Sequence, residues 1–390
     1  MKKRTVEKDK KKREKRSRGE NDKLCRKIMF WNVAGVGNKG KDFWKFICKY
    51  DFISLCETWV DKEGWGKLKE KLPKTHDWEC SFATKDKKNG RAKGGFIIGK
   101  KKNWGDQNTK IICKQEKGVL ISEIVEGEEI KYIISVCNKE CWDDLKVILD
   151  NVTEGMDGEF MLIGGDFNRI GELGGGEEED GGVERKSKDK LVSNGGKGLI
   201  DLIQDKGWYV LNGTMVGDWD GEYTFVGARG SSVIDYVFCN KKARDFVREL
   251  SIGDRVDSDH MPMMVTLEGG GEEEGEEGKE ERREEEIWKI CWDKKAIQKY
   301  RESTDSIIWE HDLQGSVEDK WQKLKDIVQE ALVKRKLKTV KRELGHKDWW
   351  DRQCTRKKRQ VHRLYKKWRM GKERKDKFLE EKRKLKELAE

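Results

Sequence analysis

The chain has 390 residues, 35% of them hydrophobic and 41% charged, with a formal net charge of +10 and a pI near 8.9. Spread evenly, that mixture could not bury enough apolar surface to offset chain entropy, so a core must lie where the apolar residues gather, between about residues 27 and 267. No apolar stretch approaches membrane-spanning length, no apolar signal region opens the chain, and the ten cysteines form no CxxC pair. This argues against a membrane protein, a disulfide framework and a zinc site, and leads us to expect a soluble intracellular protein in a reducing compartment.

In chain order, residues 1–26 read as a basic, disordered tail centred on Lys10-Lys11-Lys12-Arg13-Glu14-Lys15-Arg16-Ser17-Arg18, suited to nuclear import or to a nucleic-acid backbone. Strands are predicted at Lys27–Val33, Phe52–Glu57, Gly95–Lys100, Leu120–Val125, Lys131–Val136, Phe160–Gly164, Tyr209–Leu211, Val233–Cys239 and Met263–Leu267. Helices are predicted at Lys41–Lys49, Glu63–Lys71, Asp143–Asn151 and Gly198–Lys206. Many strands with few helices between them point to a mixed-sheet α/β layered domain, because a doubly wound parallel sheet would need a helix at nearly every crossover. The Gly- and charge-rich stretch Gly171–Lys190 reads as an inserted surface loop. Residues 268–286, almost wholly Gly, Glu, Lys and Arg, read as a linker and domain boundary. Beyond it, residues 287–390 read as a basic helical region. Ser316 with Asp319 resembles a capping box, and Val317, Trp321, Leu324, Val328 and Leu332 recur at helical spacing. Trp349-Trp350 opens a further stretch with Val361, Leu364 and Trp368 on one face and many Lys and Arg on the other, the pattern of a packed helical hairpin.

The apolar run Phe160-Met161-Leu162-Ile163 stops at Gly164-Gly165-Asp166-Phe167-Asn168, a polar turn with a carboxylate and an amide two residues apart. Ninety residues on, Ser258-Asp259-His260 adds a carboxylate beside an imidazole. Asn32 and Glu57 also fall at or near predicted strand ends, and Asp235 lies in the apolar run Val233-Ile234-Asp235-Tyr236, where a carboxylate is costly unless paired. Together these groups supply hard oxygen ligands for Mg²⁺ and an imidazole with a carboxylate to orient it, parts suited to cleaving a phosphate ester.

In order and spacing, Asn32, Glu57, the Gly-Asp-Phe-Asn turn, the Ile-Asp-Tyr strand and the terminal Ser-Asp-His resemble the motifs of the endonuclease/exonuclease/phosphatase superfamily over residues 27–267. Tyr223-Thr224-Phe225 shortly before Asp235, and Trp349-Trp350-Asp351 with Cys354 and a basic helix, resemble the endonuclease domain of non-LTR (LINE-type) retrotransposons and part of the linker before a reverse transcriptase. The resemblance implies a four-layer sandwich of two packed mixed sheets flanked by helices. It implies a Mg²⁺-dependent DNA endonuclease, with Mn²⁺ as a substitute, that leaves a 3′-hydroxyl to prime reverse transcription. DNA is the implied partner, with element RNA as a further one, and the nucleus, shared with the cytoplasm, is the implied location. Implied roles are metal binding for Glu57, Asn32 and Asp259, water activation for Asp166, and a hydrogen bond to the developing pentacovalent phosphate for Asn168. His260, oriented by Asp235, would donate to a phosphate oxygen, and Thr224 would lie on a DNA-facing surface. The chain departs from the family at Cys137 and Glu140, which stand where a tyrosine and an asparagine are usual, and at Ala34, where some relatives carry an acidic ligand. An abasic-site nuclease or phosphatase of the same superfamily, or a catalytically impaired nucleic-acid-binding remnant, are the alternatives.

Overall fold

A computed structural model describes residues 25–85, 90–104, 110–116, 118–126, 128–137, 142–156, 158–174, 184–270, 287–305, 315–337, 344–345 and 347–389. Residues 1–24, most of the linker expected at 268–286, the middle of the loop expected at 171–190, and Glu140 lie outside the described residues. The strands of the larger unit are β1 Cys25–Asn32, β2 Phe52–Cys56, β3 His76–Ser81, β4 Phe96–Lys101, β5 Lys110–Glu116, β6 Val119–Glu126 and β7 Glu129–Cys137. They continue as β8 Phe160–Asp166, β9 Tyr209–Val210, β10 Phe225–Val226, β11 Ser231–Ser232, β12 Asp235–Cys239, β13 Val247–Ile252 and β14 Met263–Gly270. The helices are α1 Lys41–Ile47, α2 Lys62–Lys69, α3 Trp142–Thr153, α4 Asn194–Asp205 and α5 Lys241–Arg244. After these come α6 Lys294–Asp305, α7 Val317–Ala331, α8 Arg352–Arg369 and α9 Lys375–Ala389. No helix among the described residues is long and apolar enough to cross a membrane.

Two six-stranded sheets form the frame, ordered β13-β14-β1-β2-β4-β3 and β5-β6-β7-β8-β12-β9. Both are mixed: β1 runs parallel to β2 and β7 to β8, and the other pairs are antiparallel. Strand alternation explains the layering. Ile28 and Phe30 of β1 join Leu120, Ile133, Leu162 and Val237 of the other sheet in the central core, while Met29 and Trp31 turn outward onto Phe43, Trp44 and Ile47 of α1. On the far side Ile134, Met161 and Ile163 pack against Leu145 and Leu149 of α3 and Leu199 and Leu202 of α4. The four-layer α/β sandwich is therefore formed by helix, sheet, sheet and helix, each layer burying an apolar face on the next.

Strands β3, β5 and β13, and the two-residue β10 and β11, were not expected. In β3, outward Asp77 and Glu79 dilute the apolar signal of Trp78, and in β13 Arg248 and Glu249 do the same for Leu250 and Ile252. Cys25 and Arg26, assigned to the tail on charge, belong to β1 because they pair with β14.

The Gly164-Gly165 pair has a steric cause. A Cβ on Gly164 would sit 2.5 Å from the Phe30 ring. Gly165 holds φ +147, and a Cβ there would run into the Val136 carbonyl of the adjacent strand. Gly165→Ala should destabilise the fold by about 3 kcal/mol or more, read as a lowered urea midpoint at unchanged slope. An unchanged midpoint would refute the close approach of β7 and β8.

The compact units divide differently from the expected domains. One spans residues 1–274 with 343–390, and the other spans 275–342. Within the smaller unit, strands Ile287–Ile290 and Lys334–Leu337 pair antiparallel, in a region expected to be helical throughout. There α7 begins with the expected capping box, Ser316 and Asp319 each accepting the other's backbone N–H at 3.2 and 3.0 Å. In the larger unit α8 and α9 dock Val361, Leu364, Tyr365 and Phe378 into the central core cluster. Trp368 stacks between Tyr223 and Phe378, with ring centroids 6.1 Å from each. Polar ties surround this contact: Arg369 reaches Glu222 at 3.1 Å, and Lys366 reaches Asp254 at 2.9 Å.

Candidate active site

Strand register carries the expected residues to one edge of the sandwich. Asn32 ends β1 opposite Cys56, so Glu57 follows in the next position of the parallel neighbour. Asp166 ends β8, with Cys137 of β7 on one side and Asp235 of β12 on the other. Asp235 is thus the first residue of its strand and not an interior one. The 258–260 segment is tied to β1 by Ser258 Oγ donating to the Asn32 carbonyl at 2.8 Å and by Trp31 Nε1 donating to the His260 carbonyl at 2.8 Å.

A continuous polar chain results. Asn32 Nδ2 donates to Asp166 Oδ2 at 3.0 Å. The same Oδ2 lies 4.0 Å from His260 Nε2. The other imidazole nitrogen, Nδ1, lies 2.9 Å from both Asp235 oxygens, so Asp235 fixes the ring with Nδ1 as donor and aims Nε2 at Asp166. Burial alone would lower the His260 pKa, but the charge and hydrogen bond of Asp235 overcome it and raise it to about 9. For Asp166, burial and then the charge of Asp235 push the carboxyl up to about 7, against the pull of His260 and the Asn32 hydrogen bond.

Thr224 is corrected by the structure. It is fully buried, and its hydroxyl accepts the backbone N–H groups of Ile234 and Asp235, each at 3.0 Å. It braces the entry to β12, because those two amides would otherwise lack partners, and it presents no surface. Asn168 is half-buried in the loop after β8 and makes no side-chain hydrogen bond to the cluster among the described residues.

Glu57 and Asp259 are held apart from that chain. Glu57 is buried with φ +55, accepting Trp59 Nε1 at 2.8 Å on one oxygen and the Cys137 thiol at 2.9 Å on the other. A hydrogen bond with Cys56 pulls the Cys137 thiol down, but burial and the Glu57 charge outweigh it and hold the thiol above its usual range, so it donates. Asp259 is about half exposed and accepts Lys382 Nζ of α9 at 2.7 Å. Trp59 and Lys382 were not foreseen, since nothing in their local sequence ties them to a carboxylate. Ala34, Glu57 and Trp59, the three non-glycine residues with left-handed backbone among those described, all lie in the loops at this edge. Such conformations cost on the order of 1–3 kcal/mol each and tend to cluster where geometry serves chemistry.

The donor set suits a divalent cation. Asp235, Asp166 and Asp259 bring three carboxylate charges to bear on a single imidazole, and repulsion from Asp235 and Glu57 is part of what raises Asp166. Asp166, Asp235 and His260 have ligand atoms within 4.8 Å of one another and could hold an ion. Of the expected ligands, Glu57 already accepts from Trp59 and Cys137, the Asn32 amide oxygen from the Ala34 N–H at 3.2 Å, and Asp259 from Lys382.

No protein-family model matches the chain, and no curated protein matches it. Solved structures similar to it include the endonuclease domain of TRAS1, a telomere-specific non-LTR retrotransposon, at 14% identity and a TM-score of 0.44, covering 62% of this chain and 98% of that one. The AP endonuclease LMAP from Leishmania major is 13% identical with a TM-score of 0.48, covering 63% and 88%. The Xenopus laevis APE2 catalytic domain is 14% identical with a TM-score of 0.46, covering 62% and 91%.

Proposed function

We propose that the chain is a Mg²⁺-dependent DNA endonuclease of the non-LTR retrotransposon kind, nicking one strand to leave a 3′-hydroxyl. The observation that carries this reading is the chain Asn32–Asp166–His260–Asp235, in which a partly buried carboxylate and an oriented imidazole face one another at 4.0 Å. Asp166 takes a proton from water as the water oxygen attacks phosphorus. His260 donates from Nε2 to a phosphate oxygen, its ring held by Asp235. The bond from phosphorus to the 3′ oxygen breaks and that oxygen takes a proton from solvent water, giving the 3′-hydroxyl and leaving a 5′-phosphate on the other fragment. A Mg²⁺ ion held by Glu57, Asn32 and Asp259 would supply neutralising charge to the phosphate and the departing oxygen. Supercoiled plasmid should be nicked with Mg²⁺ and left intact with EDTA. Absence of nicks despite tight DNA binding would favour the impaired-remnant reading, which the Cys137–Glu57 contact supports by engaging an expected metal ligand.

The pH profile follows from the two shifted groups. Asp166 must be ionised to accept a proton, so the rate should rise as pH passes about 7. His260 must be protonated to donate, so the rate should fall as pH passes about 9. A bell with its maximum between these values is expected in single-turnover nicking, and a rate still climbing at pH 10 would remove His260 as the donor.

A further inference from the structure

Hairpin α8–α9 does more than cover apolar surface. Its inner face is anchored in the core by Tyr365 and Phe378, while its other side forms one wall of a cleft of about 1300 Å³. The opposite wall carries Ala34, Val226 and Asp259, residues of the catalytic edge. Asp259 precedes His260, and Val226 N–H donates to the Asp259 carbonyl at 2.8 Å, so this wall of the cleft borders the catalytic cluster. Nine lysines and arginines line it against four carboxylates, and all four carboxylates are already matched by hairpin lysines: Asp257 and Asp42 by Lys358 at 2.8 and 3.9 Å, Asp259 by Lys382 at 2.7 Å and Glu380 by Lys384 at 2.7 Å. Arg359, Arg383 and Lys386 line it from exposed positions on the two helices. Arg383 pairs with exposed Glu387 on its own helix at 3.5 Å, a contact worth little in water.

We propose that this hairpin is the second wall of the substrate cleft, and that Arg359, Arg383 and Lys386 bind backbone phosphates of the DNA strand leading to Asp166 and His260. The assignment rests on the nuclease reading above and names the surface that holds its substrate. Charge excess favours a polyanion, and continuity with a phosphodiester site selects DNA. Two helices anchored by a stacked aromatic cluster give such a wall a fixed position, so cationic groups are presented without ordering a loop first.

The test is equilibrium binding of a fluorescent DNA duplex by the full chain in EDTA, across a salt series. The triple variant Arg359→Gln, Arg383→Gln, Lys386→Gln should bind on the order of tenfold more weakly, with its salt slope reduced by about 2–3. A control removing three exposed lysines of the α2 region, Lys62→Gln, Lys69→Gln and Lys71→Gln, should change binding less than twofold, since none lines the cleft. The single Arg359→Gln variant should lower the slope by about 1. Loss of binding in the triple variant supports the assignment whether or not the protein nicks DNA. Unchanged affinity and slope, an equal loss in the control, or no DNA binding by the wild type would overturn it. Nicking by the wild type with unchanged binding in the triple variant would overturn the wall and leave the nuclease reading standing.

Discussion

Replacing His260 by alanine is expected to lower the single-turnover nicking rate by about 10²–10⁴-fold, the range that a positioned proton donor contributes. Asp166→Ala should fall in the same range, because it removes the carboxylate that Asn32 holds at 3.0 Å and that faces the imidazole. Asp235→Asn tests the orientation. It keeps the shape but loses the charge that raises His260, so the alkaline limb should move to lower pH as the rate falls. The double variant His260→Ala, Asp235→Ala should be no slower than His260→Ala alone, since Asp235 acts through the ring it holds. Fully additive losses would separate the two residues, and Asp166→Ala nicking as fast as wild type would end the catalytic assignment.

Tyr365→Ala and Phe378→Ala should each destabilise the larger unit by about 3–5 kcal/mol, the cost of emptying a buried aromatic site. Both rings are almost wholly inaccessible, and they pack on one another with centroids 5.2 Å apart. Tyr365→Phe separates packing from polarity. The Tyr365 hydroxyl is buried without a hydrogen-bond partner among the described residues, so its removal should be neutral or slightly stabilising. Urea unfolding reads all three. If both alanine variants lose less than 1 kcal/mol, the hairpin is not part of the folded core, and the second wall of the cleft goes with it.

Much of the candidate site was legible because its residues end apolar runs. Asn32 and Asp166 each close a strand whose preceding residues are buried, and a polar group there must face an edge. Cys137 was legible as a departure, and its thiol does meet Glu57. The surroundings of Thr224 and Asp259 were not legible. Thr224 reads locally as a surface residue beside a strand, yet it braces the backbone of Asp235 from inside. Asp259 reads as a metal ligand, and a lysine 123 positions later in the chain meets its carboxylate.

The sequence by itself determined which residues are apolar and with what period, and hence a layered mixed-sheet domain, the glycine-led turn at Asp166 and the apolar stripe of α8. Only the tertiary structure decided what covers each stripe and which polar groups meet. The Asn32–Asp166 bond joins positions 134 residues apart, and the Trp31–His260 bond joins positions 229 apart. The physical reason is that periodicity reports a face seeking burial, while hydrogen bonds and ion pairs depend on distances of a few ångströms set by strand register and helix docking. Those distances make a hairpin outside the expected endonuclease region part of the core and one wall of the cleft beside the catalytic edge.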